Sequence, residues 1–317
     1  MKFTTIPENG ASWRGKLVYA IDCESEVGQD IEVVVADGTL GLRASFNLYN
    51  VTAAEFDIAP YLRRMASEQP TANVESLAWS SAAMLVVVSV GGVSSPSRLY
   101  YREAIDAAAA QLLSTLSDRV AMAQNETLRL SLLALRTAEV RVTTFLPVER
   151  TKIFTLRTYG RPVEFTLPLG AYSVGSTIRI ELVCDDVRLK VLSINIVKRE
   201  ASARQLVWYN ERGGVEFYTF PRSVRRYYRA KEGAGAQGEQ LLQSRCVVRR
   251  LLSAYEGAEE MERIAEMIFA PALYLAKEGE CERLEIGERV VEFDDEGGIK
   301  QLRLDIYEPW RGGGLCS

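Results

Sequence analysis

The side chains best placed to do chemistry in this 317-residue sequence are its carboxylates and cysteines, because it contains no histidine. That absence excludes Ser-His-Asp and Cys-His catalysis, histidine-liganded zinc or haem, and a histidine switch near neutral pH. Paired carboxylates could hydrolyse a glycosidic bond if two of them flanked it about 5–10 Å apart. The nearest pairs are Asp22/Glu24, Glu24/Glu26, Asp185/Asp186 and the run Asp294-Asp295-Glu296. The last two groups fall at expected turns, where Asp serves local hydrogen bonding. The five cysteines, Cys23, Cys184, Cys246, Cys281 and Cys316, are scattered, with no Cys-x-x-Cys pair. That pattern suits reduced thiols better than a metal site or a disulfide framework. The glycine runs at 91–92, 233–238 and 312–314 lack the Gly-x-x-x-x-Gly-Lys-Ser/Thr spacing that cradles phosphate. No catalytic residue, cofactor or metal ligand is therefore expected, and the chain reads as a non-enzyme.

Two segments carry binding-type chemistry instead. Val224-Arg225-Arg226-Tyr227-Tyr228-Arg229-Ala230-Lys231 interleaves bases with aromatics, the composition of a single-strand nucleic-acid platform. In an acidic chain, arginine stems covering a strand surface give the same sequence, so a protein partner is favoured over nucleic acid. The other segment, 206–220, reads as a hairpin: an apolar strand, a turn at 210–214, and an aromatic strand. Trp208, Phe217 and Phe220 suit a core, while Tyr209 and Tyr218 could present an edge to a partner or stack on a sugar. The candidate contact residues are thus Trp208, Tyr209, Asn210, Tyr218, Arg225, Arg226, Tyr227 and Tyr228.

The elements that must position these residues are mostly strands. Lys16–Ile21 alternates, Asp30–Val35 is β-branched, and Asp37-Gly38 suits a tight hairpin turn. Pro60 biases Ala59 away from helix and favours a helix start or short turn just after it. Residues 127–131, 139–143, 163–167, 177–183 and 187–191 alternate apolar with polar, the pattern of half-buried sheets. The alanine-rich stretch 104–113 has the propensity of a short helix or crossover. Met261, Ile264, Ala265, Ile268 and Phe269 recur at helical spacing over an acidic first turn, which predicts an amphipathic helix over 258–269. The expected fold is mainly β: antiparallel, β-sandwich-like N-terminal and middle regions with a small α+β C-terminal region. The expected units are residues 1–144 and 145–317, with 233–238 as either an interdomain linker or a loop.

The net charge of −4 hides an asymmetry. Residues 254–309 carry 16 Asp/Glu against 6 Lys/Arg, a local net of −10, while residues 1–253 have a net of +5. Opposed charge of this kind can orient neighbouring subunits in an assembly. The N-terminus has no apolar signal region, and the apolar stretch at 82–88 is too short to span a bilayer. Cytoplasmic synthesis and no membrane span are expected.

The segment Trp208-Tyr209-Asn210-x-x-Gly213-Gly214-Val215-Glu216-Phe217-Tyr218-Thr219-Phe220 resembles the W-x-N-x-x-G-x-x-D-x-Y-x-F stretch of phage or prophage virion proteins of Bacteroides-type bacteria. Phe56-Asp57-Ile58-Ala59-Pro60-Tyr61-Leu62 is similar to their F-D-I-S-P-Y-L segment, and 271–275 to their S-P-x-V-Y ending. Glu216 stands where that family usually has Asp, and Ala270 where it has Ser. The resemblance implies a structural tail or baseplate component, virion-associated, acting through contacts with other virion proteins and with copies of itself. A carbohydrate-binding or host-surface adhesion module, using exposed aromatics on a glycan, is the alternative reading.

Overall fold

The computed structural model describes residues 1–38, 41–66, 70, 74–105, 108–145, 148–198, 200, 203–234, 240–254, 266–267, 269–270, 272–276, 280–284, 291–294 and 301–309, with backbone alone for most of 222–254, 291–294 and 301–309. The chain is mainly β, and the described strands form six sheets.

The first hundred residues run β1 (Lys2–Thr5), β2 (Val18–Asp22), β3 (Gln29–Asp37), β4 (Arg43–Val51), β5 (Ala53–Asp57), α1 (Ala59–Met65), β6 (Ser76–Trp79), β7 (Ala83–Val90), β8 (Val93–Ser94) and β9 (Arg98–Tyr101). One sheet has the order β1-β2-β5; a second has β4-β3-β7-β8, with β9 also on β7. The β-branched run of β3 places Ile31, Val33 and Val35 on one buried face, as a period of two requires. Those side chains meet Trp13, Tyr19, Ile58, Leu62, Met84, Val86 and Val88 in one core. Pro60 sits in the first turn of α1, the expected helix start, but the helix takes in Ala59 as well, against the bias a following proline imposes; Ala59 and Leu62 are buried.

The middle of the chain continues with β10 (Gln111–Leu112), β11 (Arg119–Ala123), β12 (Thr127–Leu133), β13 (Thr137–Thr144), β14 (Arg150–Arg157), β15 (Pro162–Pro168), β16 (Thr177–Cys184) and β17 (Val187–Val197). An inner sheet, β10-β12-β15-β6, borrows β6 from the N-terminal stretch. An outer sheet, β11-β17-β16-β13-β14, lies against it, with β11 parallel to β17. Leu128, Leu130, Leu132, Val163, Phe165 and Leu167 of the inner sheet share a core with Val140, Ile180, Leu182 and Ile194 of the outer one. The boundary at 144/145 lies in the connection between β13 and β14, which pair from Thr137↔Arg157 to Thr144↔Arg150. The helix considered for 104–113 does not form among the described residues of that segment. Gln111 and Leu112 instead pair with β12, and Leu113 is buried against Leu99, Tyr101 and Leu133, so tertiary contact overrides propensity.

The last third comprises β18 (Arg204–Tyr209), β19 (Val215–Phe220), β20 (Arg222–Ala234), β21 (Gln240–Ala254), β22 (Leu273–Ala276), β23 (Cys281–Leu284), β24 (Val291–Asp294) and β25 (Gln301–Pro309). The hairpin sheet, β19-β18-β22-β23, packs its Leu206, Trp208 and Phe220 against Leu251, Leu304 and Ile306 of the last sheet, β20-β21-β25-β24. Glu266, Met267 and Phe269 are helical, within the predicted helix, whose residues 258–265 and 268 lie outside the described set. Met267 and Ala270 enter the same core, yet Phe269 is 75% exposed. At 100° per residue, Phe269 lies about 200° round the helix from Met267, which removes it from the apolar face assigned by sequence. Gly233 and Ala234 belong to β20, and Ala234 pairs with Gln240 of β21; the rest of the 233–238 segment lies outside the described residues.

Candidate functional site

The densest buried polar chemistry lies between the inner sheet and the hairpin sheet. Strands β12 and β15 direct leucines, valine and phenylalanine to the outer sheet, which leaves the alternate positions facing the hairpin sheet. Those positions are Thr127, Arg129, Ser131, Glu164 and Thr166, all buried. The register places Ser131 opposite Glu164 and Arg129 opposite Thr166.

Glu164 is the centre of this seam. Its Oε1 accepts hydrogen bonds from Ser80 Oγ at 2.6 Å and from Tyr209 Oη at 3.0 Å. The Arg102 guanidinium lies 4.5 Å from the Tyr209 ring centroid. Burial, and then the neighbouring Glu164 carboxylate, push the Tyr209 phenol well above its ordinary pKa. It therefore stays a proton donor, which is what a buried carboxylate requires. Deeper in the seam, Arg129 donates to Cys281 Sγ at 3.3 Å. Burial raises the Cys281 pKa, with the arginine working against that rise. A thiol held protonated and enclosed is a poor nucleophile. At the other end Gln205 Nε2 donates to the Thr127 carbonyl at 3.3 Å, and the Thr127 N–H donates to Gln205 Oε1 at 3.4 Å. These bonds join two sheets at fixed register; their chemistry is bracing.

The hairpin that stands out in the sequence is the second part of this brace. Its turn is closed by Asn210, whose Oδ1 accepts from the backbone N–H groups of Arg212 (3.0 Å) and Gly214 (2.8 Å). The same side chain donates from Nδ2 to the Leu113 carbonyl at 2.7 Å and to Glu216 Oε1 at 2.8 Å. Glu216 Oε1 also receives the Thr115 N–H (2.6 Å) and hydroxyl (2.9 Å). Ser114 donates to the Val215 carbonyl, and Ser131 Oγ accepts the Val215 N–H at 2.8 Å. Both glycines are required. Gly213 has φ +73°, and a Cβ on Gly214 would stand 2.5 Å from the Leu113 carbonyl oxygen. The Trp-x-Asn-x-x-Gly-Gly-x-Glu pattern thus fastens the hairpin to the segment around Leu113.

The structure places the sequence-derived contact residues as follows. Trp208 is fully buried between the hairpin sheet and the last sheet, and Tyr209 lies in the seam. Asn210 closes the turn, and Tyr218 packs edge-on against Phe220 at 5.1 Å. None of these four offers a free face to a glycan or a partner, which corrects the exposed-edge expectation. The cause is that the hairpin sheet has a sheet on each side. Arg225, Arg226, Tyr227 and Tyr228 lie on β20, opposite Arg250, Arg249, Val248 and Val247 of β21. Their side chains are outside the described set. Sequence reasoning missed Glu164 and Arg129, because the alternation of β12 and β15 reads as polar-to-solvent. Only a second sheet stacked on that face reveals them as core. Among the described residues no cluster of three potential metal ligands occurs, and no helix is long and apolar enough to cross a membrane.

No family model matches the chain, and no curated protein does. A solved bacterial structure described as "Structural insight into host cell surface retention of a 1.5-MDa bacterial ice-binding adhesin" is similar over 78% of this chain and 87% of that one, at 10% identity and a TM-score of 0.17. A likeness at that score carries no argument about this chain.

Proposed function

We propose that this chain is a non-enzymatic assembly protein that works through protein–protein contacts, and, on the resemblance of its hairpin and Phe56–Leu62 segments, a component of a phage-like tail or baseplate. The observation that carries the assembly reading is the use to which the polar groups are put. Glu164, Tyr209, Asn210 and Glu216, buried where a catalytic set would also be buried, have hydrogen bonds that tie one sheet or segment of the chain to another. Such bracing stiffens a stack of sheets whose outermost strands, among the described residues, carry no further strand and can pair with another chain.

Sedimentation velocity of the full chain over a concentration and salt series tests this reading. Defined oligomers are expected; a strict monomer under every condition would count against it. A glycan array run in parallel separates the adhesion alternative, for which specific hits would be the supporting result.

A further inference from the structure

The last sheet carries a charge gradient from one edge to the other. In its spatial order β20-β21-β25-β24, β20 holds Arg222, Arg225, Arg226, Arg229 and Lys231 against Glu232, a net of +4. Strand β21 adds Arg245, Arg249 and Arg250 with no acid, a net of +3. Strand β25 holds Arg303 against Asp305 and Glu308, a net of −1. Strand β24 ends the series with Glu292 and Asp294 and no base, a net of −2. One sheet therefore presents a basic edge and an acidic edge on opposite sides.

Strand β20 ends the strand order, with no strand on its outer edge among the described residues, and the β20–β21 side of the sheet is thin at one end. Strand β25 pairs with β21 only from Cys246 to Ala254. Beyond Cys246, β21 pairs on with β20 from Arg245↔Ala230 to Gln240↔Ala234, with no third strand on it among the described residues. That part is a two-stranded ribbon extending past the end of the sheet. An isolated two-stranded ribbon is marginal in water and gains stability when a further strand or surface covers it.

We propose that copies of this chain associate head to tail by strand addition, the basic β20 edge of one copy pairing with the acidic β24 edge of the next. This rests on the assembly reading above and names its interface. The occupant follows from charge. Two β20 edges brought together about a twofold axis would set two strands of net charge +4 against each other, and like charges across an interface disfavour the contact. Pairing β20 with β24 sets opposite signs together and repeats the same charge order in every copy. Because the two surfaces differ, the association is heterologous, and it closes into a ring or extends as a filament according to the rotation per copy.

The test uses the full chain and two charge-reversal pairs, R226E/R229E on β20 and E292K/D294K on β24. The wild type is expected to form oligomers at low salt that weaken as salt screens the contact. Each reversal alone is expected to weaken association by about a hundredfold, from the cost of like charges in contact. An equimolar mixture of the two variants is expected to assemble again, because each supplies the edge the other now complements. The neutralising pairs R226Q/R229Q and E292Q/D294N, expected to weaken association by a smaller factor, replace any reversal whose circular dichroism departs from wild type. In their mixture no recovery is expected. A wild type that assembles while both variant pairs assemble equally well would overturn this interface and leave the assembly reading standing. Failure of two folded reversals to recover on mixing would do the same. A wild type that stays monomeric at low salt would overturn both.

Discussion

At the scale of single residues, two side chains each do the work of several. Asn210 makes four hydrogen bonds, two that close its own turn and two that reach Leu113 and Glu216. Asn210→Ala would leave the Leu113 carbonyl and the Glu216 carboxylate each short of one buried donor. We expect a loss of about 2–4 kcal/mol, read from urea denaturation; a loss below ~0.5 kcal/mol would show that the clamp is idle. Asp185 works in the opposite direction, as an acceptor. It sits with φ 51° at the tight turn that the sequence predicts at Asp185-Asp186, and its carboxylate accepts the backbone N–H groups of Leu135, Arg136 and Thr137. Burial disfavours its charge, but the three donors outweigh burial and hold its pKa below the ordinary aspartate range. A depressed carboxyl pKa stabilises the fold above the unfolded-state value, and that stability is lost as pH falls through the folded-state value. Asp185→Asn is therefore expected to flatten the acid limb of the stability–pH curve and to matter least under strongly acid conditions. An acid limb identical to wild type would contradict this account.

At the scale of elements, the phase of hydrogen bonding along an edge strand decides what the strand tolerates. The Thr158 N–H donates to the Arg136 carbonyl, which fixes the alternation along the β13–β14 pair. The backbone groups of residues 150, 152, 154 and 156 then face β13, and those of 151, 153, 155 and 157 face outward. Trp79 Nε1 donating to the Arg157 carbonyl agrees with that phase. Ile153→Pro removes an outward N–H and is expected to cost little, whereas Phe154→Pro removes a ladder donor and is expected to cost about 3 kcal/mol or more. Thermal melts of the two variants check this, and equal losses would show that the phase is misassigned. Strands of this kind were legible in the sequence because one face meets a core and the other meets water, so alternation survives in β3, β13 and β16. The seam was not legible for the converse reason. When both faces are covered, as in β12 and β15, alternation still marks a strand but no longer tells which polar residues are exposed. The hairpin at 206–220 shows both sides of this. Its turn and strands follow from Asn210, Gly213 and Gly214, but the burial of Trp208, Tyr209 and Tyr218 depends on sheets contributed by residues 76–168 and 222–309. The basic stretch of β20 was visible as composition, and only its pairing with β21 makes it a sheet edge.

At the scale of the whole molecule, the order of layers is not the order of the chain. The inner sheet combines β6, from the N-terminal stretch, with β10, β12 and β15, so the first hundred residues are stitched into the middle of the protein. The stitching continues through side chains. The Tyr101 hydroxyl donates to the Gly160 carbonyl at 2.8 Å, and Arg161 donates to the Ala83 carbonyl at 3.0 Å. A cut at 144 would separate β13 from both β14 and β16, β12 from β15, and β6 from β15. Leu128, Leu130, Leu132, Val140 and Val142 would lose the other half of their core. At roughly 1.5–3 kcal/mol per exposed large apolar side chain, the loss from these five is comparable to the roughly 5–15 kcal/mol of a typical domain's total stability. We expect a fragment of residues 1–144 to give poor amide dispersion in NMR spectra and no cooperative melt. The same fragment ended at residue 105 keeps the core built around Val33, Val35, Met84 and Val86, so it should retain more order than the longer one. A cooperatively folding 1–144 would show instead that the N-terminal parts of both sheets hold together without β14, β15, β16 and β17, and that the stack is not braced as one.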